Sequence, residues 1–150
     1  MAIQQFSGSL PMMLYRTLDA VMPRFRQIFK DFGITEQQWR VLRVLSEVDA
    51  PPLGELAEAT LIPAPSLVGV VDRLQTAGLV ERGPAAGDRR VVLVSITQVG
   101  QERLDRLLPE VATAYATLKQ TIPSEDWERL LDGLGALIDA TGSSAKRRSN

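Results

Sequence analysis

Apolar residues recur every three or four positions along most of this chain, which is the period of an amphipathic α-helix. The first stretch with this period runs from Leu10 to Phe32. Gly33 is expected to end that helix, because glycine readily adopts the left-handed conformation found after helix ends. Pro23 interrupts the pattern, so the sequence predicts a kink or a break near Met22.

Three more long helical patterns lie outside the centre of the chain. Thr35 is a suitable N-cap for a helix over residues 36–48. Thr97 can cap a later helix, which Pro109 is expected to bend or divide. Ser124 can cap a final helix, whose apolar residues keep the helical period without interruption.

In the centre of the chain the pattern changes to two short helices and a hairpin. A break at Leu61–Ala64 separates the helices, and Gly78 is expected to end the second one. Two strand-like stretches then flank a turn at residues 83–88. The four segments are residues 53–60, 65–77, 79–82 and 89–96. This order predicts a helix-turn-helix followed by a basic two-stranded wing, an arrangement that points to a DNA-reading module.

The predicted fold is therefore mainly α with a small β-hairpin wing: a winged helix-turn-helix within a six-helix subunit. A chain of 150 residues is expected to form one domain. Within it we assign residues 35–97 to the winged helix-turn-helix. The polar residues 141–150 are expected to form a disordered tail.

The second helix of the central motif has one apolar face and one small, polar face. Leu67, Val70, Val71 and Leu74 share the apolar face and are expected to pack against the preceding helix. The opposite face, which a major groove would contact, carries Pro65, Ser66, Gly69, Asp72, Arg73 and Thr76. Serine can bond a base edge or a phosphate, glycine allows close approach of the backbone, and arginine can reach a guanine or a phosphate. An ordinary surface helix would carry the same residues equally well.

The hairpin favours the DNA-binding interpretation. Asp88 can accept hydrogen bonds from backbone amides or from Arg90, which would order the tip of the wing. An ordered arginine at a protruding tip, Arg89 or Arg90, suits the negative potential of a narrow minor groove. The alternative is a solvated turn with incidental charge, but the turn lies where a winged helix requires its wing.

The charge distribution bears on the same question. A net charge of −1 by itself argues against a nucleic-acid-binding protein, because phosphate neutralisation needs Lys and Arg at the contact surface. However, Arg73, Arg82, Arg89 and Arg90 fall in or beside the central motif, whereas acidic residues cluster after residue 101. A local basic surface is thus compatible with a near-neutral total.

The sequence contains neither cysteine nor histidine. Their absence excludes disulfides, the commonest zinc sites and the usual nucleophile–base pairs, so we expect no catalytic residue, no metal and no cofactor. No apolar run approaches the roughly 20 residues of a membrane span, and residues 1–7 lack the features of an export signal. We therefore expect a cytoplasmic protein that makes no membrane contact.

Several runs of residues resemble the MarR family of transcriptional regulators, and the similarity covers nearly the whole chain. The runs are Gly33 to Leu42, Leu53 to Val80, and Asp88-Arg89-Arg90 followed by Ser95-Ile96-Thr97 and Gly100. Within that family, residues 35–40 and 65–69 are most similar to repressors of homoprotocatechuate (3,4-dihydroxyphenylacetate) degradation operons.

The resemblance implies a winged-helix homodimer with interlocked first and last helices, bound to a pseudo-palindromic operator in double-stranded DNA. On this basis residues 1–34 and 98–140 are assigned to dimerisation. Small aromatic carboxylates often release such repressors, so the resemblance also implies a small aromatic acid as effector and control of aromatic-compound catabolism. It places Ser66, Gly69 and Arg73 at the major groove and Arg89 or Arg90 in the minor groove.

A ligand carboxylate in a partly apolar crevice needs a paired cation, because an unpaired buried anion is costly. Arg16 is the first candidate, because it lies on the first helix and the resemblance implies an arginine near this position. Arg40 and Arg43 are further candidates, with Trp39 as a wall on which a ring could stack. The alternatives are an Arg16 that is solvated or paired across a dimer, and a Trp39 that packs in the core.

Other functions remain open from the sequence. One is a MarR-type regulator of a transporter or stress locus. Another is a winged-helix protein-interaction module without DNA binding, although such a module has no use for an arginine pair at the wing tip. A small hydrolase could use Glu55 and Glu58, one turn apart on one helix, but a solvated helix face explains these carboxylates better.

Overall fold

The computed structural model describes residues 6–147, with side chains as far as residue 142. Within this range a short 3₁₀ helix, Phe6–Gly8, precedes six α-helices and one hairpin. The helices are α1 (Leu10–Asp31), α2 (Glu36–Leu45), α3 (Leu53–Thr60), α4 (Ala64–Thr76), α5 (Gln98–Lys119) and α6 (Ser124–Arg147). The strands are β1 (Val80–Ala85) and β2 (Asp88–Ile96). This order confirms the predicted six-helix winged helix-turn-helix subunit.

The chain divides into two compact units, Met1–Ala112 and Thr113–Asn150, and the division falls inside α5. The first unit contains α1 to α4, the hairpin and the beginning of α5. The second contains the rest of α5 and α6. None of the helices in the described part of the chain has both the length and the apolar character that crossing a bilayer requires.

α1 is one continuous helix, and the predicted break within it does not occur. Pro23 lies inside the helix, where the missing N–H and the ring clash cost about 3 kcal/mol. Packing offsets this cost, because Phe29 is buried in the core and Phe25 packs against it. α1 ends where expected: Gly33, just beyond it, has the left-handed φ of 71° that favours glycine.

α2 begins as predicted and ends earlier. The Thr35 hydroxyl accepts from the Gln38 N–H at 3.2 Å, and the Gln38 side chain accepts from the Thr35 N–H at 2.9 Å. This reciprocal capping box stabilises the first turn. The helix ends at Leu45 rather than at residue 48, because the Ser46 hydroxyl donates back to the Arg43 carbonyl at 2.7 Å and competes with further helical pairing.

α3 and α4 form the predicted helix-turn-helix above a common core. The apolar face predicted for α4 is confirmed, since its four residues are at most 1% exposed. α4 begins at Ala64, one residue earlier than predicted, because proline suits the first turn of a helix and Pro65 lies there. The core includes Phe29, Val41, Leu42, Leu56, Ile62, Leu67, Val70, Val71, Leu74, Leu79, Val94, Leu104 and Leu107.

The hairpin is antiparallel, and its register shifts once, between Pro84 and Ala85. Gly87, with a φ of 85°, makes the turn. β1 reaches Ala85 and is therefore longer than the predicted strand, which ended at residue 82. The Val94 N–H on β2 donates to the Pro51 carbonyl at 3.1 Å, just before α3. This contact attaches the base of the wing to the helix-turn-helix.

α5 and α6 are each a single helix. Thr97 caps α5 as predicted, since its hydroxyl accepts from the Gly100 N–H at 3.0 Å. Pro109 lies within α5 but does not divide it, because Leu107 just before it is fully buried and anchors the helix. Ser124 is the first residue of α6 rather than its cap.

The C-terminal segment differs from its prediction. α6 extends to Arg147, so residues 141–147 are helical and not disordered. Polar composition does not by itself end a helix, and the Thr141 hydroxyl donates to the Leu137 carbonyl at 2.8 Å within this one. The remaining residues of the predicted tail, 148–150, lie outside the described residues.

Candidate nucleic-acid interface

The outward face of α4 is accessible along its length. Pro65, Ser66, Asp72 and Arg73 are exposed, and Gly69 is half-buried between them. The buried face of the same helix holds it rigidly on the core. α4 therefore presents an exposed surface of small residues with two charged side chains, Asp72 and Arg73, as the sequence predicted.

Arg73 lies back across the position of Gly69, one turn earlier on α4. Its Nη1 atom is 3.5 Å from the point that a Cβ on residue 69 would occupy. This distance is ordinary van der Waals contact, so alanine would fit at position 69 but would confine the guanidinium. Gly69 thus gives the Arg73 guanidinium room to move.

Asp72 and Arg82 form an ion pair that joins α4 to β1. The Asp72 side chain is 57% exposed and that of Arg82 is 28% exposed. The sequence interpretation treated Arg82 only as part of a basic region and missed this pairing. Ten residues and a helix end separate the two, so only the opposite signs of their charges signalled the contact. The pair balances the negative charge of the Asp72 carboxylate on this face of α4.

The wing tip is ordered by Asp88 and Arg90, as predicted. One Asp88 carboxylate oxygen accepts from the Arg90 backbone N–H at 3.0 Å and from Arg90 Nε at 3.2 Å, and the other lies 3.4 Å from Arg90 Nη2. The Arg90 side chain is nevertheless 91% exposed, and Arg89 is exposed beside it. Two arginines therefore stand at the tip, one of them oriented by a fixed carboxylate.

The same contacts act on the ionisation of the tip. The hydrogen bond from the Arg90 side chain lowers the pKa of Asp88 from its usual 3.8, and the Arg90 backbone N–H lowers it further. Asp88 is thus ionised at neutral pH and accepts the hydrogen bonds from Arg90.

The candidate ligand residues fall in two places. Arg16 lies on the exposed side of α1, in an open depression of about 380 Å³ whose lining residues, Met13, Arg16, Thr17, Ala20 and Val21, all belong to that helix. The candidates Trp39, Arg40 and Arg43 lie on α2, and none of them is among those lining residues. The structure of the single subunit does not bring Arg16 together with the other three.

Trp39 and Arg43 do lie together on α2. The Trp39 ring stacks on Phe29 with centroids 5.0 Å apart, and the Arg43 guanidinium lies 6.0 Å from the Trp39 centroid. Arg43 also contacts Ser46 at 3.1 Å and forms an ion pair with Glu47. The half-buried Trp39 ring and the partly exposed Arg43 guanidinium thus lie side by side on α2.

Arg40 points elsewhere. Its Nη1 donates to the Thr60 carbonyl at 3.0 Å, and its Nη2 lies 3.7 Å from a Glu36 carboxylate oxygen. Among the described residues, no group of three or more acidic side chains is arranged to hold a metal ion.

Comparison with known proteins identifies relatives along almost the entire chain. A family model described as the MarR family matches residues 32–91. The chain is 34% identical over 136 residues to the homoprotocatechuate degradative operon repressor of Escherichia coli, covering 91% of each chain. It is 33% identical over 137 residues to the HTH-type transcriptional regulator FarR of Neisseria gonorrhoeae, covering 91% of this chain and 94% of that one. Both relatives are transcriptional regulators, which confirms the prediction of a regulator rather than an enzyme.

A solved structure supports the fold at similar identity. The crystal structure of NadR in complex with 4-hydroxyphenylacetate superposes with a TM-score of 0.75 and is 33% identical, covering 91% of this chain and 97% of that one. Because the superposition covers 91% of this chain, the similarity is not confined to the helix-turn-helix.

Proposed function

The chain belongs to the MarR family of transcriptional regulators, and from this membership we propose that it is a sequence-specific DNA-binding repressor that a small aromatic carboxylate releases. The observation that carries the proposal is the combination of an exposed small-residue face on a rigid α4 with an ordered, arginine-bearing wing tip. The proposed target is the operator of an aromatic-catabolism locus, read in the cytoplasm.

In the proposed complex α4 enters the major groove. Ser66 and Arg73 then reach base edges or phosphates, while Gly69 lets the DNA backbone come close. Arg90, oriented by Asp88, enters the adjacent minor groove, where negative potential attracts arginine. Because α4 offers few side chains for base contacts, DNA shape supplies part of the specificity.

The proposed active form is a homodimer. In the first unit, α1 exposes a stripe of large apolar side chains, and in the second unit α6 exposes another. Between 37% and 68% of each of these side chains is accessible. They are Leu10, Met13, Leu14, Tyr15 and Leu18 on α1, and Leu130, Leu131, Leu137 and Ile138 on α6. Apolar surface of this extent on a monomer marks an association surface, and a two-fold dimer matches a palindromic operator.

The proposed effector is an aromatic ring carrying a carboxylate. Two relatives support this class: one is named for a homoprotocatechuate degradative operon, and one was crystallised with 4-hydroxyphenylacetate. In this chain Trp39 offers a face for the ring and Arg43 a cation for the carboxylate. Arg16 is a second proposed cation, placed to act if dimerisation brings α1 of one subunit to the other.

A competition experiment tests the proposal. A preformed complex with the DNA upstream of the chain's own gene is titrated with 4-hydroxyphenylacetate and, as a control, with 4-methylphenol, which lacks the carboxylate. The acid is expected to release the DNA and the phenol to leave it bound. Arg43→Met is expected to bind DNA normally but to resist release. Release by neither compound would contradict the effector class, and failure to bind any duplex would contradict the regulator itself.

A further inference from the structure

A line of polar contacts joins α1 to the carboxyl end of α3. Arg26 Nε donates to one Glu36 carboxylate oxygen at 2.8 Å. The other Glu36 oxygen lies 3.7 Å from Arg40 Nη2, and Arg40 Nη1 donates to the Thr60 carbonyl at 3.0 Å. This line of contacts spans three helices of the first unit and ends on the backbone carbonyl of Thr60.

The Thr60 carbonyl is a group that needs a partner. Thr60 is the last residue of α3, and the last four carbonyls of a helix lack intrahelical donors. Thr60 is also 2% exposed, so water is a poor substitute. The Thr60 hydroxyl donates to the Leu56 carbonyl at 2.7 Å, so the side-chain donor to the Thr60 carbonyl is Arg40.

The turn that follows is conformationally demanding. Leu61 has a φ of 54°, in the left-handed region that disfavours a side chain such as leucine. Leu61 is also 83% exposed, so packing of its own side chain does not hold it there. The turn therefore depends on contacts made by its neighbours, and the charged donation from Arg40 to Thr60 immediately precedes it.

The direction in which α4 leaves the turn follows from this arrangement. Only Leu61, Ile62 and Pro63 separate α3 from α4, and the Pro63 carbonyl accepts from the Leu67 N–H at 2.9 Å. Ser66 and Gly69 lie in the first two turns of that helix. A shift at Thr60 therefore moves the residues proposed to meet the major groove.

We propose that Arg40 is a positioning residue for DNA reading, which holds the carboxyl end of α3 and thereby sets the placement of α4. Glu36 orients Arg40, and Arg26 orients Glu36 from α1. This role rests on the proposed function and differs from a role in ligand binding. Arg40 Nε is buried without a hydrogen-bond partner among the described residues, while 38% of the Arg40 side chain is exposed, so the guanidinium is only partly desolvated.

The test compares three variants with a matched control. Arg40→Met removes both contacts and keeps the apolar stem, Arg40→Lys keeps one charged donor, and Glu36→Gln removes the charge that orients Arg40. Glu55→Gln is the control, because Glu55 is exposed on α3 and its side chain makes no hydrogen bond or ion pair among the described residues. Affinity is measured by fluorescence anisotropy for the upstream duplex and for a scrambled duplex, at a temperature well below unfolding.

Arg40→Met is expected to lose affinity for the upstream duplex by roughly tenfold, the equivalent of one charge-assisted hydrogen bond. Its affinity for the scrambled duplex is expected to change less than about twofold, because phosphate contacts dominate nonspecific binding. Arg40→Lys should recover part of the loss, Glu36→Gln should show a smaller loss, and Glu55→Gln should show none. Unchanged specific affinity, or equal losses on both duplexes, would overturn the proposal.

Amide hydrogen exchange tests the role of Arg40 without DNA. Arg40→Met is expected to accelerate exchange at the Leu61 and Leu67 amides, and unchanged protection there would also overturn the proposal. If Arg40→Met does not fold, Glu36→Gln decides by the same two measurements. If the unaltered protein binds no duplex, the proposed function fails, and the exchange rates alone decide whether Arg40 holds the turn.

Discussion

The chemistry of the wing tip depends on one carboxylate. Asp88 fixes Arg90 through both the backbone and the side chain, yet both residues remain in contact with solvent. An oriented but accessible arginine enters a groove with less loss of side-chain freedom than a free one. The pairing therefore orients Arg90 without hiding its charge, as the proposed minor-groove contact requires.

The ionisation of Asp88 gives the first prediction. Because its pKa is lowered below 3.8 by Arg90, the carboxylate stabilises the folded tip above that pH and loses this effect only as the pH falls through the lowered pKa. The order of the tip is thus expected to be constant between about pH 5 and 8. NMR titration of the Asp88 carboxyl should show its pKa rising in Arg90→Ala.

Arg89→Ala is the control for that titration, since the Arg89 side chain makes no hydrogen bond or ion pair with Asp88 among the described residues. An unchanged Asp88 pKa in Arg90→Ala, or an equal rise in both variants, would show that the contact does not order the tip.

How far single contacts could be predicted depended on their separation along the chain. Asp88 and Arg90 are two residues apart in a turn, so the sequence alone predicted their pairing. The contacts of Arg40 with Thr60 and of Arg82 with Asp72 join residues on different elements. They depend on how helices and strands pack, which local patterns do not specify.

The elements themselves followed from their hydrophobic period and caps, with errors where packing outweighed local preference. Thr35, Thr97 and Gly33 behaved as their residue types predict. Pro23 and Pro109 did not divide their helices, because each helix is held in the core beside its proline, by Phe29 in α1 and by Leu107 in α5. The end of α6 was underestimated because polar residues were taken as a sign of disorder.

The junction between the hairpin and α5 gives the second prediction. A Cβ on Gly100 would lie 2.1 Å from the Leu79 carbonyl oxygen, a backbone atom that also accepts from the Thr97 N–H at 3.0 Å. Gly100→Ala must therefore move one of two packed elements. Its free energy of unfolding is expected to fall by about 1–3 kcal/mol, measured by urea denaturation.

Gly54→Ala provides the matched comparison, since nothing lies within 4 Å of a Cβ at that position in α3. It is expected to be neutral or to raise stability by up to about 1 kcal/mol. A Gly100→Ala protein as stable as Gly54→Ala would mean that the junction is not tightly packed.

At the scale of the whole molecule, the proposed dimerisation through the exposed apolar side chains of α1 and α6 gives the third prediction. Leu18 on α1 is 53% exposed in the subunit. If the stripe is the dimer surface, Leu18→Glu buries an unpaired charge there and weakens dimerisation by at least about tenfold. Sedimentation equilibrium measures the dissociation constant directly.

Val48→Glu is the control for association, because Val48 is similarly exposed, at 46%, but lies outside the two segments assigned to dimerisation. It is expected to leave dimerisation unchanged. A Leu18→Glu protein that associates as tightly as the unaltered chain would exclude this part of α1 from the interface.

The most direct test of the account is the affinity of the unaltered protein for the DNA upstream of its own gene, set against a scrambled duplex of equal length and composition. Anisotropy titrations at two salt concentrations are expected to show binding to the upstream duplex at least about a thousandfold tighter than to the scrambled one. Both affinities should fall as salt rises. Equal affinity for the two duplexes, or binding indifferent to salt, would contradict the assignment of α4 and the wing as a DNA-reading surface.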